Sequence, residues 1–545
     1  MRNNEVKSGL DRRAFLAASA SSITAVALCR NGQSEESKPR GLVVGQAEGA
    51  ATGNAVLAQG GNAVDAAVAA ALVAGVVAVP STGIGGYGGS IVIATPEGNV
   101  SAIDFNSTAP AAAKPDMFGP EAVKARVNAH GWLAAGVPGV LAGLQMALDK
   151  FGSKPFAELV KPAIQFATDG FRVSAGLARA IKNAESRFAK DAGSSRLFIR
   201  NGKLLVEGDR FQNPDLGRML AKLADSGRVD DFYHGDTSKK IAAAFQANGG
   251  LVTAEDLRSY RPIEIAPLTL DWQGHTILTP PPTSGGLTVV QALGILKALD
   301  WAKGDLNDPA AAHARLEALR IAWSDRLKFL GDPKKVDVPI ERLLSQKYAS
   351  QCADRVAAAV KSGKPVEAQT DGRPANGTIH LTAADANGMM VALTFTHGEA
   401  FGAQVTVDGL GLILGHGMSR FEPKPGHPNS PGPGKRPLHN MCPTIVLKDG
   451  KPILALGATG GRRIPNTLFD VLTYYVGERR LLSDAVAAPR MHTEGDLALT
   501  LEAKWPEAIV ERCKKAGYRI KTGPGANLNA IVRDPKTGAF QFAQR

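Results

Sequence analysis

The sequence predicts an α+β fold, with helices and strands concentrated in different stretches of one chain. Helical patterns dominate residues 145–360, and strand-type runs separated by short turns follow residue 377. Near the start, Asn62–Val79 is apolar nearly all round, with Asp65 its one charge and Pro80 its stop, which suits a helix inside a large core. Pro155–Thr168 and Ala310–Phe329 also read as helices. Thr253 reads as an N-cap with Asp256 at the third helical position, close to a capping box. Leu268–Trp272 is a strand candidate. The stretch Lys361–Asn376, rich in Gly, Pro and polar residues, reads as an exposed loop. Alternation from Thr378, an Asn387-Gly388 turn and the run Met389–Thr396 then predict a β-hairpin. The Pro- and Gly-rich segment 422–435 reads as a loop that could cover a site, and strands return at Thr444–Lys448 and Pro452–Leu456.

Composition narrows the function classes. The 545 residues are 44% hydrophobic and 21% charged, as in a globular protein with an ample core. Length alone suggests about two to four domains, and no solenoid-type repeat divides the chain. The net charge is +12, yet Lys and Arg are spread among acids and aromatics are only 6%, so no stacking platform for nucleic acid is visible. Attraction to anionic surfaces or substrates is the better meaning of that charge.

Residues 1–27 read as a twin-arginine export signal. Arg12-Arg13 precede Phe15-Leu16, the apolar stretch Phe15–Leu28 follows, and Ala25-Val26-Ala27 offers a cleavage site. At 14 residues that stretch is too short to span a membrane. A periplasmic or secreted protein with no transmembrane segment is therefore expected, residues 28–40 being a linker. Cys29 offers a lipid-anchor alternative, against which stands the bulky Leu28 before it. The four cysteines show no C-x-x-C; Cys352 and Cys513 could pair in an oxidising compartment, and free buried thiols are the default. Five of the ten histidines lie between His380 and His439, but H-x-H and H-E-x-x-H spacings are missing and acids are sparse there. No metal and no other cofactor is expected.

Thr378 carries the most specific chemistry. A Thr that becomes a chain N-terminus brings its own general base, because its α-amine sits beside its hydroxyl. With a reference pKa near ~8, a useful fraction of that amine is neutral at pH 7. Read alone, the segment is better taken as a surface hairpin that happens to begin with Thr.

The rest of the chain favours the chemical reading. Gly60–Ala70, the Gly-rich turn Ser81–Gly89, Asp104-Phe105 through Ala113, Gly136–Gly139, Pro280–Gly286, Arg436-Pro437, Met441–Thr444 and Gly457–Gly461 occur in a fixed order. In these blocks the chain, over roughly residues 40–540, resembles the γ-glutamyltranspeptidase family of N-terminal-nucleophile hydrolases. The resemblance implies a four-layer αββα sandwich and a small-molecule amide substrate. It also implies self-cleavage between Gly377 and Thr378. The products would be a large subunit, 41–377, and a small subunit, 378–545, held together as a heterodimer. Thr396 matches a second Thr that hydrogen-bonds to the nucleophile, and Gly460 and Gly461 match the pair whose N–H groups bind the oxyanion. Taken alone, Thr396 would be an ordinary strand residue and Gly460-Gly461 a β-turn. His380 matches a structural histidine.

The substrate pocket departs from the family. Asn106 stands where an Arg holds the substrate α-carboxylate, and Arg420 stands where an Asp holds the α-amino group. His439 and Asn440 replace a serine pair, and Gly398, after His397, replaces an Asn. A zwitterionic glutamyl head would lose both ion pairs, which costs several kcal/mol in a desolvated pocket. A carboxylate without an α-amine, such as a glutaryl-type acyl group, suits the planar fork of Arg420 better. His416 and His439 read as pocket residues that bond the acyl or leaving group. Two alternatives stay open: a γ-glutamyltransferase or glutathione hydrolase with rebuilt recognition, and a non-catalytic relative that only binds a ligand.

Overall fold

In a computed structural model, residues 40–301, 308–368 and 378–545 are described. Two six-stranded antiparallel sheets form the centre. The first contains Gly41–Val44 (β1), Gly88–Ala94 (β2), Val100–Asp104 (β3), Ile263–Ile265 (β4), Ile379–Asp385 (β7) and Met390–Thr396 (β8), in the order β1-β7-β8-β2-β3-β4. The second contains Leu268–Trp272 (β5), His275–Thr279 (β6), Thr444–Lys448 (β9), Lys451–Thr459 (β10), Asn527–Arg533 (β11) and Phe540–Gln544 (β12), in the order β12-β11-β10-β9-β6-β5.

Side-chain alternation sets the layers. On β7 and β8, Leu381, Ala383, Val391, Leu393 and Phe395 face one way and pack with helices Ala47–Ala58 (α1), Ala63–Val77 (α2) and Val140–Phe151 (α3). Ala384, Met390 and Ala392 face the other way, against Ile445, Leu447, Ala455 and Ile531 of the second sheet. The far face of that second sheet, through Val446, Leu454, Leu456 and Leu528, meets helices Gly286–Ala298 (α4), Pro309–Phe329 (α5), Gln346–Ser362 (α6) and Arg463–Leu472 (α7). The result is the αββα sandwich. Because both faces of β7 and β8 are covered, every residue of the two strands is buried.

The predicted elements are found with shifts at their ends. In α2, Asn62 caps the helix and Asp65 completes a capping box. The Asp65 carboxylate, fully buried, also accepts from Ser153 N, Ser153 Oγ and Lys154 N, so the helix's one charge is satisfied. The helix ends at Val77 rather than Val79. The expected helix over Pro155–Thr168 is two, Phe156–Leu159 and Lys161–Asp169, because Pro162 lacks the N–H needed to bond the preceding turn. Thr253 caps Ala254–Ser259 in a complete capping box with Asp256. The loop expected from Lys361 starts slightly later: α6 runs to Ser362 and stops at Gly363, whose φ of 68° gives a left-handed C-cap. Segment 422–435 contains neither helix nor strand. Cys352, Cys442 and Cys513 are buried free thiols, so the possible Cys352–Cys513 bridge is not formed. The export signal, Cys29 and Gly377 lie outside the described residues. Among the described residues no helix is long and apolar enough to cross a membrane.

Candidate active site

Thr378 stands at the head of β7. Ile379 pairs with Phe395, so the next pair along the hairpin is Thr378 and Thr396. Thr378 Oγ1 donates to Thr396 Oγ1 at 3.3 Å, and Thr396 Oγ1 also accepts from Gly398 N at 2.7 Å. The second hydroxyl is thereby fixed and can hold the first in place. Tyr87 N donates to Thr396 O, which ties the Gly-rich turn before β2 to the same spot.

The strand that carries Thr378 is locked between the sheets. His380 Nδ1 lies 2.8 Å from Thr394 Oγ1, and its Nε2 lies 3.1 Å from Thr382 Oγ1. Thr382 Oγ1 donates to Asn529 Oδ1 at 2.6 Å, and Asn529 Nδ2 donates back to His380 O at 2.9 Å. Since Thr382 spends its proton on Asn529, His380 carries its own proton on Nε2 and accepts from Thr394 at Nδ1. Burial pushes the ring pKa down to about 3, so it stays neutral. A Cβ at Gly457 would come within 2.2 Å of this ring, which is why β10 has glycine there. His380 therefore supports the strand, with both ring nitrogens engaged by threonine hydroxyls.

Gly460 and Gly461 occupy the turn from β10 into α7, with φ of 143° and 64°. Their carbonyls accept from Arg463 N and Ile464 N as α7 begins. Gly461 shares a cleft with Thr378, together with Tyr87, Gly398, Arg420, Asn440, Met441 and Ile464. Backbone N–H groups at the start of a helix, in a turn without side chains, are suited to a developing negative charge.

Arg420 and Asn440 also belong to the wall of an adjoining cavity of about 270 Å³, where Arg126, Arg326 and Arg462 meet Glu399 and Glu422. Segment 422–435 contributes Glu422, His427 and Asn429 to that wall. Most of these guanidinium groups have firm partners: Arg126 pairs with Glu399, Arg462 with Glu494 at 2.7 Å, and Arg326 donates to the carbonyls of Ser284 and His439. Arg420 differs. Its Nη2 bonds His416 Nε2 at 2.6 Å, its Nε has no hydrogen-bond partner, and it makes no salt bridge among the described residues. His416 Nδ1 meets Ala129 O at 3.1 Å. The ring thus donates to Ala129 from Nδ1 and accepts from Arg420 at Nε2. Burial first, then the Arg420 charge, holds its pKa far below the ordinary value. Burial lowers the Arg420 pKa as well, but a guanidinium keeps its proton. The ring needs the glycine beside it: a Cβ at Gly398 (φ 101°) would lie 2.0 Å from His416 Nε2. Burial raises the Tyr87 hydroxyl to about 12, against the pull of Arg420 and Arg326, so it is a neutral donor in the cleft.

Of the residues the sequence singled out, Thr378, Thr396, Gly461, Arg420 and Asn440 come together, with Gly460 next to Gly461 in the chain and His416 bonded to Arg420. Asn106 and His439 do not reach either cavity wall. Asn106 is fully buried and donates to Pro437 O (2.6 Å) and Thr283 Oγ1 (3.1 Å). His439 is buried with both ring nitrogens bare, and burial, followed by the Arg326 charge, pushes its pKa down to about 3. Tertiary partners far along the chain turn Asn106 inward, and the loop anchored by Arg326 buries His439, so neither side chain lines these two cavities. Sequence reasoning singled out Gly398 and Arg420 but missed Tyr87 and the other cavity arginines, Arg126, Arg326 and Arg462. An aromatic inside the glycine run Gly85–Gly89 was the available signal for Tyr87.

The γ-glutamyltranspeptidase family model ("Gamma-glutamyltranspeptidase") matches residues 49–543. A glutathione hydrolase proenzyme of Escherichia coli is 35% identical over 494 residues, covering 85% of this chain and 84% of that protein. The acylase ACY 1 proenzyme of a Pseudomonas species is 35% identical over 460 residues, covering 82% of each. Among solved structures, cephalosporin acylase from Bacillus halodurans superposes with a TM-score of 0.82 at 26% identity, covering 95% of this chain and 98% of that one.

Proposed function

Because the chain belongs to the γ-glutamyltranspeptidase family and is a hydrolase of the N-terminal-nucleophile type, we propose that Thr378 is its nucleophile and that a carboxylate-bearing acyl amide is its substrate. In the first step Thr378 Oγ attacks the Gly377 carbonyl carbon, the peptide C–N bond breaks, and an ester forms. Water hydrolyses that ester, leaving a large subunit ending at Gly377 and a small subunit, 378–545, with a free α-amine at Thr378. That amine is the base for turnover. It takes the Oγ proton as the hydroxyl attacks the substrate carbonyl, and the proton passes to the departing amine. The N–H groups of Gly460 and Gly461 receive the oxyanion, each such donor being worth ~3 kcal/mol of barrier. Water then resolves the acyl-enzyme.

One observation carries the substrate class: Arg420 shares the cleft with Thr378, its guanidinium hydrogen-bonds a neutral ring, and among the described residues it makes no salt bridge, Glu399 acting on it only at longer range. A substrate carboxylate would complete that fork with charge-assisted bonds. The acylase relative, named as a proenzyme, agrees with such an acyl group and with chain scission. The curated relatives named glutathione hydrolase favour the second reading, γ-glutamyl hydrolysis or transfer through a rebuilt pocket. Export by the Arg12-Arg13 signal to the periplasm belongs to the same proposal.

Two measurements test it. Intact mass of the purified protein should give two chains for the wild type and one for Thr378→Ala. A glutaryl anilide should then exceed a γ-glutamyl anilide in kcat/KM; the reverse order would replace the acylase reading by the second one.

A further inference from the structure

Away from the cleft, a buried cluster of charges grips the chain upstream of Thr378. Glu317 on α5 is fully buried. It accepts from Val366 N (3.0 Å), Arg320 Nη1 (2.9 Å), His313 Nε2 (3.0 Å) and Tyr518 Oη. Arg320 Nη1 also donates to Val366 O (3.0 Å) and Tyr518 Oη (3.2 Å), while its Nε donates to the carbonyls of Gly495 and Asp496. Both backbone groups of Val366 are therefore held by one ion pair. Arg512 donates to His313 Nδ1 (3.3 Å) and Val360 O (2.5 Å), and Arg355 donates to Glu367 O (3.2 Å). Between Val360 and Glu367, four backbone groups are tied down by charged side chains, and Arg512 and Tyr518 come from beyond Thr378.

Such a cluster is a costly way to gain stability, because burying ions loses their hydration. Apolar residues would hold α5 as well, but they would not fix the N–H and C=O of one particular loop residue. Burial alone would raise the Glu317 carboxyl, yet the hydrogen bonds and charge around it hold it below its ordinary pKa, so it is an anion. Ten residues, 368–377, separate this anchored stretch from Thr378. Where a tether starts sets the effective concentration and orientation of what it delivers.

Resting on the self-processing reading above, we propose that the Glu317–Arg320–Tyr518 cluster positions the chain for its own scission. It fixes the point from which the peptide bond before Thr378 is presented. After scission the same bonds keep the tail of the large piece on the small one, through Arg512 and Tyr518.

The test is a time course of precursor loss, by intact mass, for Arg320→Met and Tyr518→Phe. Arg320→Met should slow scission about tenfold and Tyr518→Phe less, while the fully cut fraction keeps wild-type kcat and KM. Arg320→Lys should recover part of the rate. Val356→Ala, in the core around α6, supplies a variant of lowered thermal stability with the cluster intact and should be cut at the wild-type rate. Arg320 and Tyr518 variants cut as fast as wild type would overturn the anchor alone. So would a Val356→Ala slowdown equal to theirs. A wild type that is never cut would overturn the self-processing reading itself, and the anchor with it.

Discussion

The two halves of the cleft are built on different principles. On the side of the proposed nucleophile, Thr378, Thr396 and Gly461 are neutral, and their positions follow from a strand register and a strand-to-helix turn. On the side proposed for recognition, Arg420 ends the one-turn helix Gly417–Arg420, while His416, Gly398 and Asn440 lie in loops, and their positions follow from hydrogen bonding and close packing. On the proposed mechanism the first half should tolerate little change without loss of the reaction, and the second should be exchangeable while the reaction stays.

Breaking the nucleophile side should have the largest effect. Thr396→Val removes the oxygen that receives both the Thr378 hydroxyl and Gly398 N, and should lower amide turnover several hundredfold by misplacing the nucleophile, an effect of about the size known for ~1 Å displacements. A loss below tenfold would mean that the backbone alone positions Thr378. On the recognition side, Arg420→Ala should lower kcat/KM for a glutaryl anilide roughly a hundredfold, as expected for truncating one partner of a desolvated ion pair. It should leave an uncharged acyl anilide and chain scission nearly unchanged. Equal losses on both substrates would erase the division between the halves.

His416 sharpens the comparison further, because it bonds Arg420 and lines neither cavity itself. His416→Leu should raise KM for the glutaryl substrate about tenfold with kcat kept, as for loss of uniform binding; a fall in kcat instead would assign the ring to the chemistry. The smallest effect is acid sensitivity. Burial holds His380, His397 and His439 at about 3 in the folded chain, against 6.5 when unfolded. The unfolded chain therefore binds more protons below pH 6.5. Stability is complete above that value and falls as the pH drops toward 3, by at most ~1.4 kcal/mol per pH unit for each ring. Urea unfolding at pH 7, 6 and 5 should show this decline, and His397→Leu should make it shallower; an unchanged slope would show that carboxylates dominate the acid response.

The difference between the halves also explains what could be read in advance. The hairpin, the Gly460-Gly461 turn and the apolar helix with its single Asp65 are local patterns and were legible as such, whereas the αββα layers and the role proposed for Thr378 came only with the family resemblance. Asn106 and His439 were not, because their orientation depends on Thr283, Pro437 and Arg326, which are remote in sequence. The arginines of the cavity come from positions 126, 326, 420 and 462, and no window of sequence brings them together. Pro162 carried the signal for the break between Phe156–Leu159 and Lys161–Asp169, but the amphipathic pattern around it hid that signal and the stretch read as one helix.

Thr378 is only 9% exposed at the base of a narrow cleft. On the proposed mechanism, any residue left bonded to its nitrogen would hold that nitrogen as an amide, with no lone pair free to act as a base. A small piece made separately would then have to begin with Thr378 itself, and a tag would belong at its other end, after Arg545.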